Sequence, residues 1–359
     1  MTAGGRDPSV PVIVAGDEIV KSDALTEAAA LAEMLGAPAY QQSIAWGAHF
    51  LSAHPCFMGA LSRVQRDTRA ILEPYDLMIA LGTDPVRMSV YSPIEPLPPH
   101  LAMVQIGLAD DDIGKNYPAE TAIKADVKET IAALLAVLQR LGGPALAKRA
   151  KARVAALAPN NWTARRAALS VTLAKASAKT PIDPDFATMT LIDALPPDAI
   201  LFDEALTTGR YTGALREHRH RYGYHALASG GIGWALPASV GACFAHPGKP
   251  VVCFTGDGSA MYSIQALWTA AHHKLPLTVV VANNGGYRII KQRLLAFHGD
   301  RNFVGMDFKD PPVDFTALAR SLGMAAERID DPAKLKGALA AAFAAGAPRL
   351  VEMIVDGSV

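Results

Sequence analysis

The sequence predicts an α/β protein made of two doubly wound parallel-sheet domains. Short strands here are continuous apolar runs rather than alternating ones, as expected for strands covered on both faces. Helix-length segments separate them, and a Gly-Gly-Pro break divides two such sets. In the first set PVIVAG (11–16) precedes an Ala-rich helix from Asp23 to Leu35, and PAY (38–40), YDLMIALG (75–82), LAMVQIG (101–107) and TAIKAD (121–126) follow, with a helix to Leu141. This is one domain, 1–141. Residues 142–181 open with Gly142-Gly143-Pro144 and continue rich in Ala, Lys and Arg with little periodicity, which suits an exposed helical linker. The second domain, 182–359, has a helix from Pro184 to Leu195, AILFDE (199–204), a helix from Trp234 to Ala245, strands at Val251 to Thr255 and Leu277 to Ala282, and RLVEMIVD (349–356). No repeat relates the two.

Composition narrows the partners. Hydrophobic residues make up 50% and charged ones 19%, with 34 basic side chains against 34 acidic. That balance gives no basic surface for nucleic acid or an anionic membrane, so a small-molecule partner is expected. Cys56, Cys243 and Cys253 lack CxxC spacing and read as reduced thiols rather than a disulfide framework or zinc site. The start, MTAGGRDPSV, lacks the basic and apolar regions of a signal peptide, and no apolar run reaches the about 18 residues of a spanning helix. A cytoplasmic protein is expected.

The stretch GDGSAMYSIQALWTAAHHKLPLTVVVANN (256–284) carries the chemistry. Asp257 follows one apolar strand and Asn284 ends a second. In a parallel sheet both strand ends lie on one edge, so the two hard oxygen donors converge across the intervening sequence. Such oxygens suit Mg²⁺, which keeps few protein ligands and leaves positions for water and substrate phosphate. Gly256 and Gly258 allow a sharp turn, and a helix starting near Ser259 directs N–H groups at a phosphate. A metal-diphosphate clamp results. Upstream, Gly230-Gly231-Ile232-Gly233 leaves backbone open to a ligand and offers one bulky side chain.

GDG, some two dozen residues and NN resemble the signature of thiamine-diphosphate-dependent 2-oxo acid decarboxylases and acetolactate synthases. GGIGWALPAS, VDFTALARSLGM and His54-Pro55-Cys56-Phe57 bring the chain nearest to the benzoylformate-decarboxylase branch. The resemblance implies that 1–141 is the family's central domain and 182–359 its diphosphate domain. It implies Mg²⁺ on Asp257, Asn284 and the Gly286 carbonyl, with Gly258, Ser259 and Tyr287 against the diphosphate. Tyr287 also reads as an aromatic packed on the sheet. Thr207, favoured over Thr208, donates a hydroxyl. Gly230 offers a carbonyl to the cofactor's amino group, Ile232 wedges beneath the cofactor's bend, and Ile289 falls in the substrate pocket. His54, whose imidazole titrates near neutrality, faces substrate; His272 and His273 need no role beyond a helix end.

The family's pyrimidine-binding domain, with its activating glutamate, is not represented in these 359 residues. Glu204 is the nearest acid but belongs to the diphosphate domain. The resemblance therefore implies a partner chain or missing domain carrying that glutamate, and a homo-oligomer. Expected is thiamine-diphosphate- and Mg²⁺-dependent decarboxylation of a 2-oxo acid. Alternatives are an acetolactate-synthase-like carboligase and a non-catalytic cofactor-binding subunit. A dinucleotide in the first domain is disfavoured, because Ala15-Gly16-Asp17 and Leu81-Gly82-Thr83-Asp84 are not GxGxxG.

Overall fold

The computed structural model describes residues 10–359; MTAGGRDPS, most of the stretch read against a signal peptide, lies outside them. The chain forms two compact units. One runs to Ala167 and includes Glu217–Tyr222, and the other holds Ala168–Arg216 and Gly223–Val359.

In the first unit, β1 (Pro11–Ala15), β2 (Ala39–Gln41), β3 (Phe57–Ala60), β4 (Leu77–Leu81), β5 (Ala102–Gly107) and β6 (Thr121–Lys124) form a parallel sheet ordered β3-β2-β1-β4-β5-β6. The continuous apolar runs are explained by its two covered faces. Ile13 and Ala15 enter one core with Leu31 and Ile131, while Val12 and Val14 enter the other with Leu72 and Met78. β3 escapes a periodicity reading because FMGA is short and ends in small residues.

The helix Val127–Leu157 runs through the predicted break, bending at Gly143, where φ is 57°. Part of the 142–181 stretch, expected as an exposed helical linker, is anchored to the first unit. The Ala150 backbone lies 2.7 Å from where a Gly36 Cβ would stand, and Trp162 is buried against Phe57. A segment within Val127–Ala176 is long and apolar enough to cross a membrane by length and composition, which corrects the expectation that no run reaches that size. Its apolar side has a local explanation, because Ile131, Leu134, Leu135 and Leu138 pack on the first core.

Strand order reverses between β1 and β4, where an open α/β sheet would take a ligand. That crevice is filled by the protein's own groups. Glu18 accepts the amide hydrogens of Leu108 (2.7 Å) and Ala109 (3.0 Å), and a Cβ on Gly16 would stand 2.3 Å from that of Thr83. The Glu18 carboxylate thus reaches across the end of β4 to the amides that follow β5.

The second unit's strands are β7 (Ile200–Glu204), β8 (Tyr224–Ala226), β9 (Val251–Gly256), β10 (Leu277–Asn283), β11 (Ala325–Ile329) and β12 (Arg349–Ile354), ordered β11-β12-β10-β9-β7-β8 and parallel throughout. Buried β9 and β10 are the most apolar runs. β11, at the edge, reads AAERI and is mostly exposed, so it carries no strand signal. Here the order reverses between β7 and β9.

Candidate metal-diphosphate site

Register places the site. Gly256 of β9 pairs with Ala282 of β10, and Thr255 with Glu204 of β7, so Glu204, Asp257 and Asn284 leave three neighbouring strands at one edge beside the switch point. Asp257 is 2% exposed. Its Oδ1 accepts the Gly258 amide (2.8 Å), and its Oδ2 accepts those of Asn284 (3.1 Å) and Gly286 (3.0 Å). Burial nevertheless pushes its pKa up to about 6, because desolvation outweighs these bonds. Among the described residues the carboxylate has no countercharge.

Asn284 Oδ1 is buried, and among the described residues none hydrogen-bonds it. A buried acceptor left empty costs about 1–3 kcal/mol, which a cation would recover. Among the described residues no three His, Cys, Asp or Glu gather as a metal cluster. The donors are instead one carboxylate, one amide oxygen and the Gly286 carbonyl, which already accepts the Arg288 amide at 3.0 Å and keeps a second lone pair. This all-oxygen set fits Mg²⁺ shared with a phosphate, and disfavours zinc.

The loop that carries the carbonyl is pinned. Tyr287 N–H donates to Met306 O and Phe308 N–H to Gly285 O, both at 2.9 Å. A Cβ on Gly286 would stand 2.2 Å from Met306 O, so only glycine fits. Gly258 is similarly constrained, with the Tyr287 ring 2.8 Å from its Cβ position. Tyr287 meets Phe308 edge to face at 4.9 Å. Ser259 is buried and donates its hydroxyl to Glu204 O at 3.5 Å.

One expected feature is corrected. The helix-length segment after GDG is broken into Asp257–Ala260 and Ala266–His272, and it begins at Asp257 rather than near Ser259. The first turn supplies only a few free amides, of which Gly258 N–H already serves Asp257.

Glu204, 2% exposed, organises the glycine loop: its two oxygens accept the amides of Gly233 and Ala235. Gly233 has φ 89°, would place a Cβ 2.5 Å from that of Tyr262, and accepts the Ser263 hydroxyl at 2.7 Å. The loop is therefore held at one end and open at the other. Gly230 has φ 82° with free space at its Cβ position, and Ile232 is 39% exposed although apolar. Thr207 is half-buried, whereas Thr208 is 1% exposed with its hydroxyl unpartnered.

His54 lies in the first unit. Its Nδ1 accepts the Cys56 amide (3.3 Å), which leaves Nε2 protonated and 3.9 Å from Glu33. Burial lowers its pKa, so the ring is neutral at neutral pH. Ile289, half-buried, sits in the helix Arg288–His298. His272 stacks on Trp268 at 4.8 Å, with His273 edge-on. Sequence reasoning gave Glu204 no loop-holding part and passed over Glu352; the usable signal was an acid inside each apolar strand, a placement that requires a partner.

Comparison with known proteins agrees with the two-sheet α/β fold. The family model for the central domain of thiamine pyrophosphate enzymes matches residues 8–134, and that for their C-terminal TPP binding domain matches 207–353. A benzoylformate decarboxylase of Pseudomonas aeruginosa is 31% identical over 345 residues, spanning 96% of this chain and 60% of that protein. A putative acetolactate synthase large subunit of Mycobacterium tuberculosis is 37% identical over 166 residues, 45% of this chain and 32% of the relative. The solved thiamine diphosphate-dependent 4-hydroxybenzoylformate decarboxylase of Rhodococcus jostii RHA1 superposes with TM-score 0.81 at 27% identity, over 97% of this chain and 62% of its own. The chain thus spans about three fifths of these two decarboxylases.

Proposed function

This chain belongs to the thiamine pyrophosphate enzyme family, and from that premise we propose that it serves Mg²⁺-dependent decarboxylation of a 2-oxo acid. The observation that carries the reading is the strand-edge clamp, in which buried Asp257 and the unpartnered Asn284 oxygen leave adjacent strands at the switch point. Asp257, Asn284 and the Gly286 carbonyl hold Mg²⁺. Gly258, Ser259, Thr207 and Tyr287 flank the diphosphate.

When bound, thiamine diphosphate supplies the electron sink that lets a 2-oxo acid lose carbon dioxide. The protein's share is binding, bending and desolvation. Ile232, exposed among glycines, would support the cofactor, and the Gly230 carbonyl would be the acceptor for its amino group. His54, with Nε2 protonated, orients the substrate carboxylate or passes a proton. The pyrimidine-side contacts and the activating glutamate come from sequence outside these 359 residues, in a partner chain or further domain, within an oligomer of several copies. Three unpaired, buried cysteines suit a cytoplasmic setting.

A second reading, carboligation, is favoured by the similarity to an acetolactate synthase subunit across 45% of the chain. A single assay separates these readings from a non-catalytic cofactor-binding subunit. The chain is incubated with thiamine diphosphate, Mg²⁺ and benzoylformate or pyruvate, alone and with a benzoylformate-decarboxylase-type pyrimidine domain. Carbon dioxide and free aldehyde only in the mixture support the decarboxylase, and acetolactate supports the ligase. Turnover by the chain alone contradicts an external glutamate, and no turnover in any mixture favours the non-catalytic subunit.

A further inference from the structure

Glu352 is a carboxylate with 0% exposure in the middle of β12, between the buried Val351 and Met353. An isolated buried carboxylate is costly, so its partners matter. Arg328, its register partner on β11, donates Nε to Oε2 at 2.8 Å and reaches Asp314 at 3.1 Å. On the other side, Asn283 donates Nδ2 to Oε1 at 2.7 Å.

Asn283 then uses its remaining oxygen. Oδ1 accepts the Gly285 amide at 3.0 Å, and the Asn283 carbonyl accepts the Val355 amide at 2.9 Å. The first asparagine of the pair is thus committed on all sides before Asn284 begins. Gly285, with φ 76°, is the residue at which the chain turns, and Gly286 follows with both the carbonyl and the amide that meet the site. A line of directed hydrogen bonds runs from Arg328 through Glu352 and Asn283 to the Gly285 amide.

We infer that Glu352 and Asn283 are positioning residues that set the 284–286 loop in its ligating geometry, an inference that rests on the metal-diphosphate reading. A buried ionic contact often stabilises folding no more than an apolar replacement would, so the role assigned here is the direction it imposes. The direction is specific here. Asn283 cannot flip its amide, because Gly285 N–H requires an oxygen at Oδ1. Glu352 must therefore present an acceptor to Nδ2, and glutamine there meets both Nδ2 and Arg328 Nε with only one oxygen.

The test compares E352Q, N283D and the double variant E352Q/N283D. Two quantities are measured: Mn²⁺ affinity by electron paramagnetic resonance at saturating thiamine diphosphate, and the metal-free thermal midpoint. E352Q places donors face to face and N283D places two carboxylates face to face. Each single variant should weaken Mn²⁺ by about tenfold or more, the usual size of an outer-shell loss. In the double variant the introduced aspartate accepts from the Gly285 amide and from the introduced glutamine's side-chain amide, while the glutamine's oxygen accepts from Arg328. Affinity should return to within about threefold of the starting protein, whatever happens to either single variant's folding. Singles that melt earlier but bind Mn²⁺ unchanged would reduce the network to a structural one and overturn the inference. A double variant as weak as the singles overturns it too. If the unaltered chain binds no Mn²⁺ with thiamine diphosphate, the metal-diphosphate reading itself falls.

Discussion

The carboxylate of Asp257 accepts the amide hydrogen of Gly286 at 3.0 Å, although 29 positions separate them in sequence. One residue therefore serves the site twice, as ligand and as anchor of the loop that brings a second ligand. Removing the side chain takes away both. Asp257→Ala should abolish Mg²⁺-dependent binding of thiamine diphosphate, and titration calorimetry with and without Mg²⁺ measures it. Equal affinity in the variant contradicts the assignment.

The same carboxyl gives the site a pH dependence. With its pKa raised to about 6, protonation competes with the metal below that value, so Mg²⁺ affinity at pH 5 should be about tenfold below its plateau above pH 7. In the metal-free chain the sign is opposite. The folded state keeps this proton up to about pH 6, whereas an unfolded aspartate releases it near 3.8, so this group costs stability as the pH rises between those values. Comparing melting midpoints with those of Asp257→Asn isolates the slope. A pH-independent difference between the two contradicts it.

Gly286→Ala tests the loop's packing. Its Cβ would stand 2.2 Å from the Met306 carbonyl, backbone that cannot swing aside like a side chain. A loss of about 1–3 kcal/mol on denaturant unfolding is expected, together with weakened metal binding. Gly230→Ala meets no steric obstacle but is strained at φ 82°, so it should cost less, about 1 kcal/mol.

Glu204→Gln tests the glycine loop. Glutamine offers one oxygen for two amides and turns a donor toward the other, a mismatch of about 1–3 kcal/mol. The thermal midpoint should fall and cofactor affinity should fall with it, read by denaturation and by calorimetry. An unchanged midpoint would show that the loop needs no such holder.

Ile232→Ala should behave differently, because the side chain is 39% exposed in the chain alone. Folding stability should stay within about 0.5 kcal/mol. In the complete enzyme kcat should fall more than the stability change accounts for, and unchanged turnover contradicts the propping role.

Much of the second unit was legible because its two buried strands are long apolar runs that end in recognisable donors. β11 and β3 were not, since AAERI lies at an exposed edge and FMGA is too short and small to carry a period. The choice between the adjacent threonines meets a similar limit. Adjacent threonines are equivalent in sequence, and only the backbone decides that Thr208 carries the buried, unpartnered hydroxyl.

By itself the sequence determined the class of fold, the two sheets, and the convergence of Asp257 and Asn284, because strand direction in a parallel sheet puts strand ends on one edge whatever the details. Only the tertiary structure decided what those residues touch. It gave Glu204 to the Gly233 and Ala235 amides, and Asn283 to Glu352 of a strand whose sequence position is far away. Such partners are set by register and by the demand that each buried polar group be satisfied in three dimensions, which no spacing along the chain encodes.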